Sequence, residues 1–169
     1  PMARGTAIGA FGLTEAQAGS DAGAMQTTVE KKGDKYILNG SKCYITNGQY
    51  ADLLFVFATN DKTKGTRGIC CFAVPRDVPG VEVGRVEDKL GHRALNVAEL
   101  NFNDVELTGE NLIGEEGQGF KLAMMALDRG RVNVTAIGTA VAQKAYDEAA
   151  AWAREREQFG QPIGNFQAI

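Results

Sequence analysis

The residues best suited to chemistry fall in two short stretches. Residues 12–24 read Gly-Leu-Thr-Glu-Ala-Gln-Ala-Gly-Ser-Asp-Ala-Gly-Ala, and residues 44–48 read Tyr-Ile-Thr-Asn-Gly. The first runs from an apolar stretch, residues 8–13, into small and hydroxylated residues, where backbone amides stay uncovered and can approach a planar polar ligand. A hydroxyl such as that of Thr14 or Thr46 can donate to a ring nitrogen or carbonyl. Tyr44 can lie against a ring face and exclude water, a condition that favours hydride chemistry. The plainer alternative is that Thr and Gly only make turns and Tyr44 fills a core. Each segment alone favours that alternative; the two together, in order, favour the ligand.

Two further groups carry charge. Asp128-Arg129-Gly130-Arg131 sits in a helical pattern. Asp128 and Arg131, three residues apart, are either an ordinary helix-surface pair or, because Arg131 also falls on the apolar series of that helix, a polar ligand site. Arg154-Glu155-Arg156-Glu157-Gln158-Phe159-Gly160 reads first as a solvated face, yet Arg156 can offer a planar fork of donors to a diphosphate, with Gln158 beside it. Residues 114–119 are rich in glycine but fit neither GxGxxG nor GxxxxGK[ST], and read as a flexible helix start. Cys43, Cys70 and Cys71 lack metal or redox spacing, and His92 is the only histidine, which removes a multi-histidine metal site. His92 is read as a structural loop residue. No metal site and no catalytic residue are assigned.

These groups need positioning elements. Residues 11–105 read as strands separated by short turns. Residues 35–46 suggest a hairpin around Asn39-Gly40, a dipeptide suited to positive φ. Residues 53–58 and 69–74 are short apolar runs flanking a solvated loop, and Pro79-Gly80 marks a turn. Ala98, Leu100 and Phe102 alternate with polar residues as in a half-exposed strand. At Gly114 the character changes, with a domain boundary near residues 112–119: Phe120, Ala123, Met124, Leu127, Arg131, Val134, Gly138, Val141, Ala145 and Trp152 follow three- and four-residue steps, predicting a long bundle helix. Gly160 and Pro162 end it, and residues 162–169 read as a turn entering another helix. The expected class is α+β: an antiparallel β-barrel or sandwich, residues 1–112, followed by the start of a helical bundle, residues 113–169.

The 169 residues, 44% hydrophobic, are enough for a real core, and a net charge of -3 with interspersed signs offers no basic stripe for nucleic acid. No apolar run approaches the roughly 20 residues needed to span a bilayer. The chain begins at Pro1 and stops at Ile169 within helix-forming sequence, and reads as a piece of a longer protein.

Residues 12–24 and 44–48 resemble the acyl-CoA dehydrogenase signature. Leu38-Asn39-Gly40-Ser41-Lys42, Glu87-Asp88-Lys89-Leu90-Gly91, Asn111-Leu112-Ile113-Gly114, Gly117-x-Gly119-Phe120 and Arg156-x-Gln158-Phe159-Gly160 resemble segments of the same family, in family order. The resemblance spans the whole chain and is closest to the short-chain, butyryl-CoA type. It implies a middle β-domain joined to the first helix of a C-terminal bundle, in a homotetramer containing FAD. Phe11, Leu13, Thr14, Gly19 and Ser20, with Tyr44, Ile45 and Thr46, match flavin-contacting positions. Among them, Thr14 and Thr46 match residues that hydrogen-bond the ring, and Tyr44 stands where Trp or Phe is common. Ser20, Asp128 and Arg131 match positions contacting acyl-CoA, with Thr66 a further one. Arg156 and Gln158 match a segment reaching the FAD diphosphate across a subunit interface.

The implied reaction is α,β-dehydrogenation of an acyl thioester, in which a carboxylate takes the α-proton. Most of the family place that base, a Glu, far downstream, and a minority place it where this chain has Gly130. The base is therefore expected beyond Ile169 and the isolated chain is expected to be inactive. Electron-transfer flavoprotein is the implied acceptor, and the compartment is the bacterial cytoplasm or the mitochondrial matrix. Ala16-Gln17, where Pro-Gly is common, and Ala94, where a small polar stretch is usual, depart from the pattern. Two other readings are a flavin monooxygenase or oxidase on the same fold, and a non-enzymatic β-barrel interaction module.

Overall fold

A computed structural model describes residues 1–167. Seven strands form one sheet: β1 (Gly9–Gly12), β2 (Thr28–Lys32), β3 (Lys35–Thr46), β4 (Leu53–Thr59), β5 (Ile69–Pro75), β6 (Val81–Val86) and β7 (Val97–Thr108). A helix, α1 (Gly119–Glu155), follows, and then a small hairpin of β8 (Glu157–Gln158) and β9 (Gln161–Pro162). The expected α+β class holds, as a curled half-barrel sheet followed by one long helix. The chain divides into two units, Pro1–Met124 and Met125–Ile169, with α1 running through the division.

The sheet runs β1-β4-β2-β3-β7-β6, with β5 on the other side of β4. Antiparallel ladders join β2 to β3, β3 to β7, β6 to β7 and β4 to β5. β1 and β2 each meet β4 in parallel, so the sheet is mixed. Parallel neighbours need a long crossover, and the chain between β1 and β4 supplies it. Leu38, Leu54, Val56, Phe72, Leu100, Phe102 and Val105 pack in a single core, Leu100 and Phe102 as their alternation marks.

The hairpin expected over residues 35–46 is instead one continuous twelve-residue strand, β3. The turn lies earlier, at Gly33-Asp34, where Lys32 pairs with Lys35 and Gly33 takes φ 65°. Gly40 serves close approach rather than a turn: a Cβ there would stand 2.6 Å from the Thr27 hydroxyl and 2.7 Å from its Cα. Asn39 pairs across the sheet with Asp104, accepting from its N–H at 2.8 Å and donating to its carboxylate at 3.0 Å. Only the sheet partner distinguishes such an Asn-Gly from a turn.

Residues 112–118 are docked on β5, contrary to the flexible start expected there. Ile113 donates its N–H to the Cys71 carbonyl at 2.8 Å, and the Gly117 N–H reaches the Cys70 sulfur at 3.4 Å. Gly119 has no room for a Cβ, which would lie 2.4 Å from the Cys70 carbonyl carbon. Glu116 ties the same stretch to the sheet, accepting from Lys31 at 2.7 Å and from the Tyr36 hydroxyl at 2.6 Å. At the other end of α1, residues 157–162 form a hairpin turning on Phe159 and Gly160, both at positive φ, before a short 3-10 turn, Ile163–Asn165. That replaces the expected entry into a helix as far as residue 167; Ala168 and Ile169 lie outside the described residues.

Within α1 the apolar positions are present but uncovered. Only Gly119 and Ala123 are buried, while Val132, Val134, Ile137, Val141, Tyr146 and Trp152 face solvent. Both Cys70 and Cys71 are buried, because both faces of β5 are covered. Burial pushes the Cys71 thiol up to about 12 and raises that of Cys70 as well. Reactivity needs thiolate and access. In the native full-length protein a thiol reagent should therefore leave Cys70 and Cys71 unlabelled and reach Cys43, which is half-buried. Peptide mapping before and after denaturation checks this, and fast native labelling of Cys71 would contradict it.

Candidate functional site

The two chemistry-bearing stretches meet at the margin of the sheet. Residues 15–18 close a tight turn in which Glu15 and Ala18 exchange backbone hydrogen bonds at 3.1 and 3.2 Å, with Ala16-Gln17 at the corner. Immediately before it, the Thr14 carbonyl accepts the Cys43 N–H at 2.9 Å, bringing the loop after β1 against β3. β3 carries a bulge here: Lys42 pairs with Leu100 and Ile45 with Ala98, so Cys43 and Tyr44 together oppose Glu99. Tyr44 takes φ 58° and its ring stands out 63% exposed. A non-glycine residue held at positive φ beside such a bulge is a strained backbone of the kind concentrated at functional sites.

An open cleft of about 600 Å³ lies between these segments, with Gln17, Gln26, Lys42, Tyr44, Arg85 and Glu99 on its walls. Arg85 forks onto the Glu87 carboxylate at 2.6 and 2.8 Å across the rim. The floor is an ion pair. Lys42 is fully buried and donates to the Glu15 carboxylate at 2.8 Å and to the Leu13 carbonyl at 3.2 Å. Glu15, 4% exposed, also accepts the Gln26 N–H at 2.6 Å and the Thr27 N–H at 3.0 Å. Burial pushes the Glu15 carboxyl up, and the hydrogen bonds from Lys42, Thr27 and Gln26 outweigh it, holding the group below its ordinary value. Burial pushes the Lys42 ammonium down, with Glu15 opposing.

The expected site residues divide by unit. In the first, Thr14 is half-buried, Gly19, Ser20 and Thr46 are exposed, and Phe11 is partly exposed with its ring 5.0 Å from that of Phe57. Leu13 and Ile45 turn their side chains into the interior; the Leu13 carbonyl accepts from Lys42 at 3.2 Å and the Ile45 carbonyl from the Gly48 N–H at 3.0 Å. Thr66 lies beside the loop that carries Ser20, its methyl 3.2 Å from where a Gly23 Cβ would stand. In the second unit, Asp128 accepts from Arg131 at 2.6 Å as an exposed pair on α1. Arg156 and Gln158 frame the β8 and β9 hairpin, Gln158 donating to the Glu157 carbonyl at 2.6 Å. His92 sits in an exposed loop at φ 51°. Among the described residues, no cluster of His, Cys, Asp and Glu could hold a metal ion, and no helix is long and apolar enough to cross a membrane.

Sequence reasoning passed over Lys42 and Glu15 as site residues, although both lie inside quoted segments. The available signal was a lysine on a strand pattern in phase with Tyr36 and Leu38, which point inward.

Residues 10–105 match the model of the acyl-CoA dehydrogenase middle domain, and residues 117–169 that of the acyl-CoA dehydrogenase C-terminal domain. The chain belongs to the acyl-CoA dehydrogenase family. It is 47% identical to the short-chain specific acyl-CoA dehydrogenase of Clostridium acetobutylicum over 100% of this chain and 45% of that protein. It is 44% identical to the mitochondrial short-chain specific acyl-CoA dehydrogenase of Rattus norvegicus, over 100% of this chain and 41% of that one. The solved butyryl-CoA dehydrogenase of Megasphaera elsdenii superposes with a TM-score of 0.95 at 48% identity, covering 99% of this chain and 44% of that structure. A chain of a structure described as the electron transferring flavoprotein of Acidaminococcus fermentans matches with a TM-score of 0.95 at 52% identity, covering 99% of this chain and 44% of that one. The chain thus spans less than half the length of each of these relatives.

Proposed function

We propose that this chain supplies the flavin-facing sheet and first bundle helix of an FAD-dependent acyl-CoA dehydrogenase acting on a short-chain acyl thioester. The observation that carries the reading is the Cys43 N–H bond to the Thr14 carbonyl at 2.9 Å, which sets the two hydroxyl-bearing segments side by side. The residues fit a flavin ring: Thr14 and Thr46 bring hydroxyls, and Tyr44 is a flat aromatic held outward at positive φ. When bound, FAD supplies the hydride acceptor. This chain's residues supply position and dryness. Thr14 and Thr46 donate to the ring; Tyr44 covers one face; Phe11, Leu13, Gly19, Ser20 and Ile45 complete the wall. Arg156 and Gln158 reach the diphosphate of a neighbouring subunit in a homotetramer.

Ser20, Asp128 and Arg131 hold the acyl-CoA, with the guanidinium of Arg131 steadied by Asp128. No residue of this chain is assigned as the base, since Gly130 has no side chain. The carboxylate that takes the α-proton comes from elsewhere in the full-length protein, and the chain by itself is inactive. Electron-transfer flavoprotein is the assigned acceptor, supported by the Acidaminococcus structure. The bacterial cytoplasm or mitochondrial matrix is the assigned compartment, supported by the Clostridium and rat relatives. Anaerobic titration of the full-length protein with butyryl-CoA should bleach its visible flavin band. A flavin-containing protein that does not bleach overturns the short-chain assignment, and a protein that takes up no FAD overturns the cofactor.

A further inference from the structure

The buried Lys42 and Glu15 pair has no place in the hydride chemistry, yet its bonds converge on the residues that face the ring. Lys42 touches the chain on both sides of Thr14, at the Leu13 carbonyl and at the Glu15 carboxylate, 3.2 and 2.8 Å away. The carbonyl of Thr14 itself accepts from Cys43, the residue following Lys42, at 2.9 Å. Glu15 uses both carboxylate oxygens on the Gln26 and Thr27 amides, at 2.6 and 3.0 Å. One ion pair therefore joins the loop after β1, the entry to β2 and the bulge of β3 that turns Tyr44 outward. Taking two charges out of water is costly, and an apolar pair of the same volume would fill the space with less penalty. What the charges add is direction: four hydrogen bonds fix where Thr14 lies relative to residues 44–46.

We propose that Lys42 and Glu15 are positioning residues for the flavin, assembling the Thr14 and Tyr44 walls into register before the cofactor arrives. The inference rests on the FAD reading above. It is tested in the full-length protein with Lys42→Met, Glu15→Gln and the double variant, measuring FAD affinity of the stripped protein and the visible circular dichroism of bound flavin. Each single variant should weaken FAD by roughly tenfold to a hundredfold and change the flavin dichroism, a scale typical of misplaced supporting groups. The double variant should be no weaker than the poorer single one, because the two act as a unit. Folded variants with wild-type FAD affinity and dichroism, even if less heat-stable, overturn the proposal, since a structural role alone lowers stability without moving either readout. A wild-type protein that takes no FAD overturns the cofactor reading instead, and the two failures are thereby distinguished. The wild type also decides without mutation: in the flavin-free protein the Gln26, Thr27 and Cys43 amides should remain protected from hydrogen exchange, and solvent-like exchange there overturns the proposal.

Discussion

Lys42→Met should destabilise the sheet unit by about 3–5 kcal/mol, and adding Glu15→Gln should restore most of that loss. The single variant leaves a carboxylate in a site that is almost closed to water, with its cation removed. Breaking one half of a buried pair is expected to cost this much, whereas removing both charges together is often close to neutral. The urea midpoint of the stripped full-length protein checks the order: single variant lowest, double variant between it and wild type. A double variant less stable than Lys42→Met would contradict it.

The same pair sets a pH dependence. The carboxyl of Glu15 is held below its ordinary value of 4.5 in the folded chain. Its contribution is therefore fully present above the unfolded value and is lost as pH falls below about 4.5 toward the folded one. The Lys42 ammonium is shifted down by burial, so its proton is bound more weakly in the folded chain, and that part of the stability rises as pH climbs from the folded value toward the ordinary 10.5. Glu15→Gln should flatten the acid limb of the stability profile. An acid limb unchanged from wild type would show that other carboxylates control it.

Gly40→Ala should cost roughly 2–5 kcal/mol, joining an overpacking penalty to a backbone one. At φ 141° the residue lies where L side chains are strained, and the new methyl carbon would meet Thr27 at 2.6 to 2.8 Å. Thr27 cannot retreat freely, because its N–H is held by Glu15 at 3.0 Å. The substitution thus pushes directly on the floor of the cleft. Gly33→Ala, with φ 65° but open space around it, should cost less, about 1 kcal/mol from the backbone alone. Urea denaturation of the two variants separates crowding from strain, and equal losses would mean that the Thr27 contact carries no weight.

The proposed site residues were named from types and order. The hydroxyls of Thr14 and Thr46, the aromatic Tyr44 and the helix pair Asp128 and Arg131 could be singled out as candidates because their chemistry belongs to single residues and short spacings. The Asn39-Gly40 dipeptide was misread for the converse reason. Its local signal is that of a turn, while its actual constraint is Thr27 on a neighbouring strand. β2 went unnoticed because Thr28–Lys32 has one buried residue, Val29, and otherwise polar side chains. The glycines of residues 114–119 looked like freedom and serve close packing on β5.

The amino-acid order by itself determined the family, the apolar runs that become β4 and β5, the alternation within β7, and the long period of α1. Those are local properties, set by side-chain type and by periods of two and of 3.6 residues. Tertiary structure decided the parallel placement of β1 and β2 on β4, the bulge that turns Tyr44 outward, and the burial of Lys42 against Glu15. A lysine and a glutamate 27 residues apart carry no mark of each other in the sequence. They become a pair only when sheet pairing excludes water from both, because burial is a property of everything packed around a residue rather than of the residue.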